Sequence, residues 1–442
     1  MEKIGKQSSS TRQLFIQYTS LAMLSMLGQS LFIFADTYFV ANGVGARGIA
    51  ALNIVLPMIN VFNGLGWLLG IGGATLFGIA LGKKRVQEAN QLFNLTLSFT
   101  LIISVIFTLL TSIFAQPILT LLGANPEVYA MSASYYRILM IFAPLFMFNV
   151  VTISFLRNDH NPRLAMLALL AGGLTNIVLD YLFIFPLQMG LTGAAIATAS
   201  SPIVSLLVAS LHWRQKDHHL QFKKVRLQLE PLKTIASLGF SSFFNEFSSA
   251  IVMFLFNIII LQVVGTIGVS AYAIIANLNI IVIALFTGLG QGFQPLISYY
   301  YGQKNGGEIK QLLKMALITG GALSLIIVLI GVFLPDPLIT LFNSEQNNQL
   351  ADIASQGLPL YFSSYLLTGI NFVVIYFLAA IGQGKASLRL SALRGIVFII
   401  PILLLMAYWF ELVGIWLTLL LVEALTSVLA IYLLKKSVER LN

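Results

Sequence analysis

Polar positions come in short clusters along this chain, and the stretches between them are almost wholly apolar. Twelve such stretches recur, at 13–41, 49–81, 92–122, 131–156, 164–187, 190–211, 234–264, 270–301, 311–342, 353–381, 388–410 and 412–434. Each is about 20 residues or longer, enough for a helix to cross a hydrocarbon core about 30 Å thick. The pattern predicts an all-α polytopic membrane protein with twelve transmembrane helices. Several stretches exceed a straight crossing, which predicts tilt, kinks or interfacial extensions. The second holds GLGWLLGIGG (Gly64–Gly73) and the eighth GLGQGFQP (Gly288–Pro295). Those glycines either let helix backbones approach or act as hinges.

The longest polar interruption, His212–Lys233, divides the chain almost evenly, and the two parts repeat one another. Moving along by 220 residues, from Val44 to Val264, pairs VGARGIAA (Val44–Ala51) with VGTIGVSA (Val264–Ala271). The same step pairs Gly70 with Gly290, Gly72 with Gly292, Lys84 with Lys304, Glu88 with Glu308, Pro117 with Pro337 and Thr120 with Thr340. A register that holds without a gap over this length predicts two lobes, 1–221 and 222–442, of six helices each. An even number of helices per lobe makes them parallel repeats, related by a pseudo-twofold axis along the membrane normal. Two such bundles can rock about a cavity, which is the geometry of alternating access; a channel more often assembles several subunits around a pore.

Composition supports the membrane assignment: 58% of the 442 residues are apolar and 9% charged, where a soluble chain carries about 25% charged. The net charge of +9 does not indicate nucleic acid, because of where the bases fall. With the N-terminus in the cytoplasm, all but Arg47 and Arg137 of the 25 Lys and Arg lie on the cytoplasmic side. That bias predicts cytoplasmic termini at both ends and contacts with anionic lipid. There is no Cys, hence no disulfide or thiolate metal site, and no cleavable signal peptide is evident. Neither G-x-S-x-G nor H-E-x-x-H occurs, which argues against an enzyme. The four His (His160, His212, His218 and His219) are expected in solvated cytoplasmic loops.

Four acids remain inside the apolar stretches: Asp36, Asp180, Glu246 and Glu423. No Lys or Arg is expected deep within any span; Arg137 lies near an outer end and can snorkel. An intramembrane charge costs about 2.5–3.5 kcal/mol on insertion scales, so each acid is either functional or satisfied by neighbouring polar groups. Asp36 shares a helical face with Ser25, Gln29 and Phe32, and Asp180 follows Asn176 by one turn. Both aspartates fall in the outer half of their spans and could share a depth. The repeat register places Phe256 opposite Asp36, so a carboxylate pair would belong to the first lobe alone. Glu246 lies on a stripe with Ser249, Met253 and Asn257, beside Asn245, and gives the second lobe its own polar position. Desolvation penalises an ionised carboxylate. Such a group can bind a proton and give it up when a cation arrives, which is antiport of H⁺ or Na⁺ against an organic cation. Phe and Met surfaces can re-pack around varied ligands, although lipid contact accounts for many of the 32 Phe.

The chain resembles the multidrug and toxic compound extrusion (MATE) family across all twelve spans, most like its MepA-type bacterial branch. The resemblance rests on FADTYFVANGVGARGIAALN (Phe34–Asn53), NIVLDYLFIF (Asn176–Phe185), GLTGAAIATA (Gly190–Ala199), GFSSFFNE (Gly239–Glu246) and the doubled architecture. It implies a V-shaped pair of six-helix lobes in a bacterial plasma membrane. It also implies export of cationic amphipathic compounds in exchange for H⁺ or Na⁺, by a monomer needing no other cofactor. The family's coupling residues match Asp36, Asp180, Asn176, Thr198 and Asn149, and its seventh-helix glutamate matches Glu246. Were sodium the coupling ion, Asp36 and Asp180 would hold it. Two departures stand out. The span 353–381 lacks the acid that sodium-coupled relatives often carry, and the span 13–41 has no proline, leaving Gly28 as its soft point. A lipid-linked oligosaccharide flippase is the alternative within the superfamily, and a receptor or scaffold a more distant one.

Overall fold

A computed structural model describes residues 10–340, 342 and 347–441. The described residues are helical nearly throughout. In chain order the helices are α1 (Thr11–Gly43), α2 (Ala46–Gly82), α3 (Val86–Ile113), α4 (Ala115–Leu121), α5 (Pro126–Asn158), α6 (Pro162–Ile184) and α7 (Gly190–Ala209). They continue with α8 (Leu229–Val264), α9 (Thr266–Gly302), α10 (Gly306–Phe333), α11 (Pro335–Thr340), α12 (Asn348–Ser363), α13 (Tyr365–Ala380), α14 (Gly384–Ala392) and α15 (Ile399–Glu439). Several begin where sequence chemistry says they should. Asn125 caps α5 by accepting from the Glu127 and Val128 amides, with Pro126 in the first turn, and Asn161 with Pro162 repeats the device on α6.

Among the described residues, ten helical segments are long and apolar enough to cross a bilayer, and α12 with α13, bent by 41° at Ser364, makes an eleventh. The last segment, Gly384–Glu439, spans 56 residues and changes direction at Glu411 (φ 48, ψ −130), so it contains both the 388–410 and 412–434 stretches. The twelve expected spans are thereby accounted for. Their outward faces stay apolar and exposed, as at Leu101, Ile106, Leu109 and Leu110 on α3, which is the surface a bilayer covers.

The repeat is written into the backbone. Gly45 and Gly265 adopt nearly the same conformation (φ 84, ψ −169 and φ 82, ψ −164), and Lys84 and Lys304 both take positive φ (61 and 57). Short helices α4 and α11 fall at matching positions, carrying the Pro117/Pro337 and Thr120/Thr340 pairs.

Two compact units emerge. One is Leu24–Phe247, and the other joins the described residues up to Met23 to those from Ser248 onward. In the first unit α2 packs on α5 and α3, and α7 on α6 and α5; in the second, α9 and α10 pack on α13, and α13 on α15. The division runs within α1 and α8, and the glycine stripes explain it. A Cβ on Gly72 would lie 2.0 Å from the Ile235 carbonyl oxygen, and one on Gly239 1.8 Å from that of Leu68. So α2 and the first half of α8 meet backbone to backbone. Likewise Gly288 and Gly292 of α9 lie against Met23 and Thr19 of α1, each with a Cα 2.5 Å from where a Cβ would be. Both stripes are devices for close packing, in helices that run unbroken through them.

Candidate cation site

Within the unit Leu24–Phe247, α1 and α6 mesh by placing large side chains of one against glycines of the other. Leu170 fills the space at Gly28, the Phe32 ring that at Gly173, and Ile184 that at Gly43. That parallel register brings Asp36 and Asp180 opposite each other, their carboxyls within hydrogen-bonding reach. Asp180 is fully buried, and its Oδ2 accepts from Asn176 Nδ2 at 2.8 Å, one turn back on the same helix. Asp36 Oδ1, Asp180 Oδ1 and Thr198 Oγ1 of α7 are buried without a hydrogen-bond partner among the described residues. No ion pair to either aspartate occurs among the described residues.

Tyr135 of α5, fully buried, completes the surroundings: its hydroxyl lies beside Thr198 and within electrostatic range of both carboxyls. Tyr135 was not singled out from the sequence, where it is one of 15 tyrosines. A signal existed, since it precedes Asn149 by 14 residues, close to four helical turns, and so shares that residue's face.

Other expected positions fall elsewhere. Asn149 is engaged by Ser205, which donates to its Oδ1 at 2.7 Å; Ser205 lies seven residues beyond Thr198 on α7, about 10 Å along the axis. Gln29 is exposed rather than facing the carboxyls. Glu246 and Asn245 are half-buried in the first unit, whereas Met253 and Asn257 belong to the second, with Met253 47% exposed. The stripe through Glu246 is therefore divided between the units.

The second unit has a buried charge of a different kind. Glu423 on α15 accepts from Arg394 Nε at 2.7 Å and from Asn371 Nδ2 at 2.6 Å, and Ser427 donates to Asn371 Oδ1 at 3.1 Å. Arg394 lies in a π-helical turn, Leu393–Val397, with its guanidinium 4.4 Å from the Phe372 ring centre. This corrects the expectation that no base enters a span. Arg394 sits a turn or two inside the eleventh stretch, and its length carries the guanidinium inward to a partner on another helix. Glu423 is thus neutralised, whereas Asp36 and Asp180 have no base. At Phe256, the repeat position of Asp36, an aromatic cluster takes over: Phe256 stacks on Tyr272 at 5.3 Å, with Tyr361 6.4 Å away.

The histidines also depart from expectation. His212 and His219 bond Asp159, where α5 ends, His160 follows it, and His218 lies against the His212 ring; His212 is 2% exposed rather than solvated.

Fold and buried carboxyls together define a multi-pass helical membrane protein with one unneutralised acid pair. The MatE family model matches residues 22–182 and 241–408, and the chain belongs to that family. It is 28% identical over 434 residues to the multidrug export protein MepA of Staphylococcus saprophyticus, covering 97% of this chain and 95% of that one. To MepA of Staphylococcus aureus it is 26% identical over 419 residues, covering 93% and 92%. Among solved structures, an outward-facing multidrug resistance MATE family transporter of the MOP superfamily superposes with a TM-score of 0.91 at 22% identity, covering 98% of this chain and 96% of that one. A MATE crystal structure in the straight conformation gives 0.91 at 22% identity, with 98% and 97% covered.

Proposed function

We propose that this protein is a secondary-active multidrug exporter of the bacterial plasma membrane, expelling cationic amphipathic compounds in exchange for H⁺ or Na⁺ while lobes 1–221 and 222–442 alternate access. The observation that carries the reading is the Asp36–Asp180 pair: two carboxyls in mutual reach, Asp180 buried and Asp36 half-buried, each with a buried orphan oxygen and neither with a base among the described residues. Ionised together they repel, so the site holds a small cation between them. A proton fits with no change in geometry, one carboxyl then donating to the other. For Na⁺ the hard oxygen donors are Asp36, Asp180 and Thr198. An organic cation neutralises the same charges, so the two occupants exclude each other, and the membrane potential supplies about 2.3 kcal/mol per charge per 100 mV.

The basic loops support a cytoplasmic location for both termini. The absence of a base at the acid pair supports cationic substrates; a monomer as the working unit is part of the same proposal. The names of the relatives favour drug export over an oligosaccharide flippase, which would need free bases for a polyanion; Arg394 is tied to Glu423 and supplies none.

The test is efflux of a cationic dye from proteoliposomes under pH and sodium gradients imposed separately. Wild-type protein is expected to export dye under one of them, and Asp36→Asn and Asp180→Asn to abolish gradient-driven export while remaining folded. Full export by either variant overturns the assignment of the pair.

A further inference from the structure

The chain between the two repeats is not slack. After α7 and a 3₁₀ turn (Ser210–Arg214), it runs back along α3, where two asparagines one helical turn apart grip its backbone. Asn90 donates to the His219 carbonyl at 2.6 Å and accepts from the Gln221 amide at 2.8 Å. Asn94 donates to the Gln221 carbonyl at 2.7 Å and accepts from the Lys223 amide at 2.8 Å. The fit has a geometric cause. Four residues of helix rise about 6.0 Å and two residues of extended chain about 6.6 Å, so successive carboxamides meet successive outward-facing peptide groups.

Asp159 fastens the upstream end. Its buried carboxyl accepts from His212 Nε2 at 2.7 Å, His219 Nδ1 at 2.7 Å and the His219 amide at 2.9 Å. Burial alone would push this carboxyl up; the bonds from His212 and His219 outweigh it and hold it at about 2. Asn161, the cap of α6, reaches His212 Nδ1 and Gln215 Oε1, each at 3.1 Å. Leu220 is fully buried, and Trp213 donates to its carbonyl at 2.9 Å while stacking on Phe222.

We infer that His212–Lys223 is a strap that stays fastened to the end of the first repeat through the transport cycle, so that only Lys224–Gln228 links that repeat to α8. Five free residues reach about 20 Å at full extension, whereas release from Gln215 onward would allow about 50 Å. The strap thus bounds how far the start of α8 can travel from α3 when its Gly239–Leu68 contact opens. Asn90, Asn94 and Asp159 act by positioning the connection.

The strap is read by hydrogen exchange on the full-length protein in nanodiscs, and its role by dye efflux, an arm that rests on the export reading. Strong protection of the Gln221 and Lys223 amides is expected, and its loss in Asn90→Ala/Asn94→Ala. That variant is expected to lose most efflux while keeping its dye affinity. The chain has no cysteine, so the pair Asn94→Cys/Lys223→Cys can be locked by oxidation alone. The oxidised form should export within twofold of the parent, its covalent link standing in for the Asn94 bonds, and the reduced form, with neither link nor bonds, should export less. Export stopped by oxidation would mean that the strap must open in each cycle. Export at the parent rate by the double alanine variant would mean that the short tether limits nothing. Either result, or unprotected amides in the parent, overturns the inference. A parent that moves no dye would instead count against the export reading and leave the exchange result standing.

Discussion

Replacing Arg394 with methionine removes the base from a carboxylate that cannot leave its site. Glu423 is 4% exposed in its side chain and Arg394 16%, with Nε 2.7 Å from Oε1. Losing one partner of a buried pair costs about 3–5 kcal/mol, mostly from the charge left behind. The residual exposure of Arg394, and the Asn371 bond that survives at 2.6 Å, point to the lower end, about 3 kcal/mol. Glu423→Gln should cost less, about 1–2 kcal/mol, because the guanidinium keeps its face on the Phe372 ring. The double variant should cost less than the sum, with a coupling of about 2 kcal/mol. Reversible unfolding of the four proteins in one detergent, scored as a double-mutant cycle, measures this. Efflux separates stability from coupling: Glu423→Gln should still export dye under the driving gradient. Additive costs near zero, or a Glu423→Gln protein that is stable but cannot couple, would refute the view that this acid is structural.

Further outcomes follow from the same geometry. Gly72→Val puts a Cβ 2.0 Å from the Ile235 carbonyl oxygen, where backbone meets backbone, and should lower stability by about 1–3 kcal/mol or more in thermal unfolding. Gly45→Ala meets no atom within 4 Å, so any loss reports the backbone alone; its conformation is nearly exclusive to glycine and should cost about 1–3 kcal/mol. Asp159 is held below its ordinary value of 3.8, at about 2, so its contribution is complete above about pH 4 and fades as pH falls toward 2. His160 is pushed down by burial from 6.5 to about 4, so its share is complete above 6.5 and lost as pH falls through 4. Exchange of the 215–228 peptide, corrected for intrinsic rate, should therefore rise as pH falls from 6.5 toward 4 and again toward 2; no rise over that range would contradict this. Asp159→Asn should unprotect the His219 amide first.

Much of this molecule is legible along the chain because its solvent is a bilayer. Lipid demands long apolar helices, so the spans, the doubling at 220 residues and the four enclosed acids could all be read from residue order. The pairing of Asp36 with Asp180 was an inference from depth and periodicity. The reason they meet, large side chains lodged on Gly28, Gly43 and Gly173, depends on which helix faces which, and a lone glycine carries no address. Tyr135, the Arg394–Glu423 bond and the histidines around Asp159 stayed hidden for that reason. Arg394 meets Glu423 across 29 positions, and Asp159 meets His212 and His219 across 53 and 60, through side chains whose direction only packing sets. Hydropathy by itself determined that the chain crosses a membrane about twelve times in two related halves. Tertiary structure alone decided which buried charges are neutralised and which have no base beside them. Transfer into lipid depends on each residue singly, whereas electrostatics depends on what stands within a few ångströms.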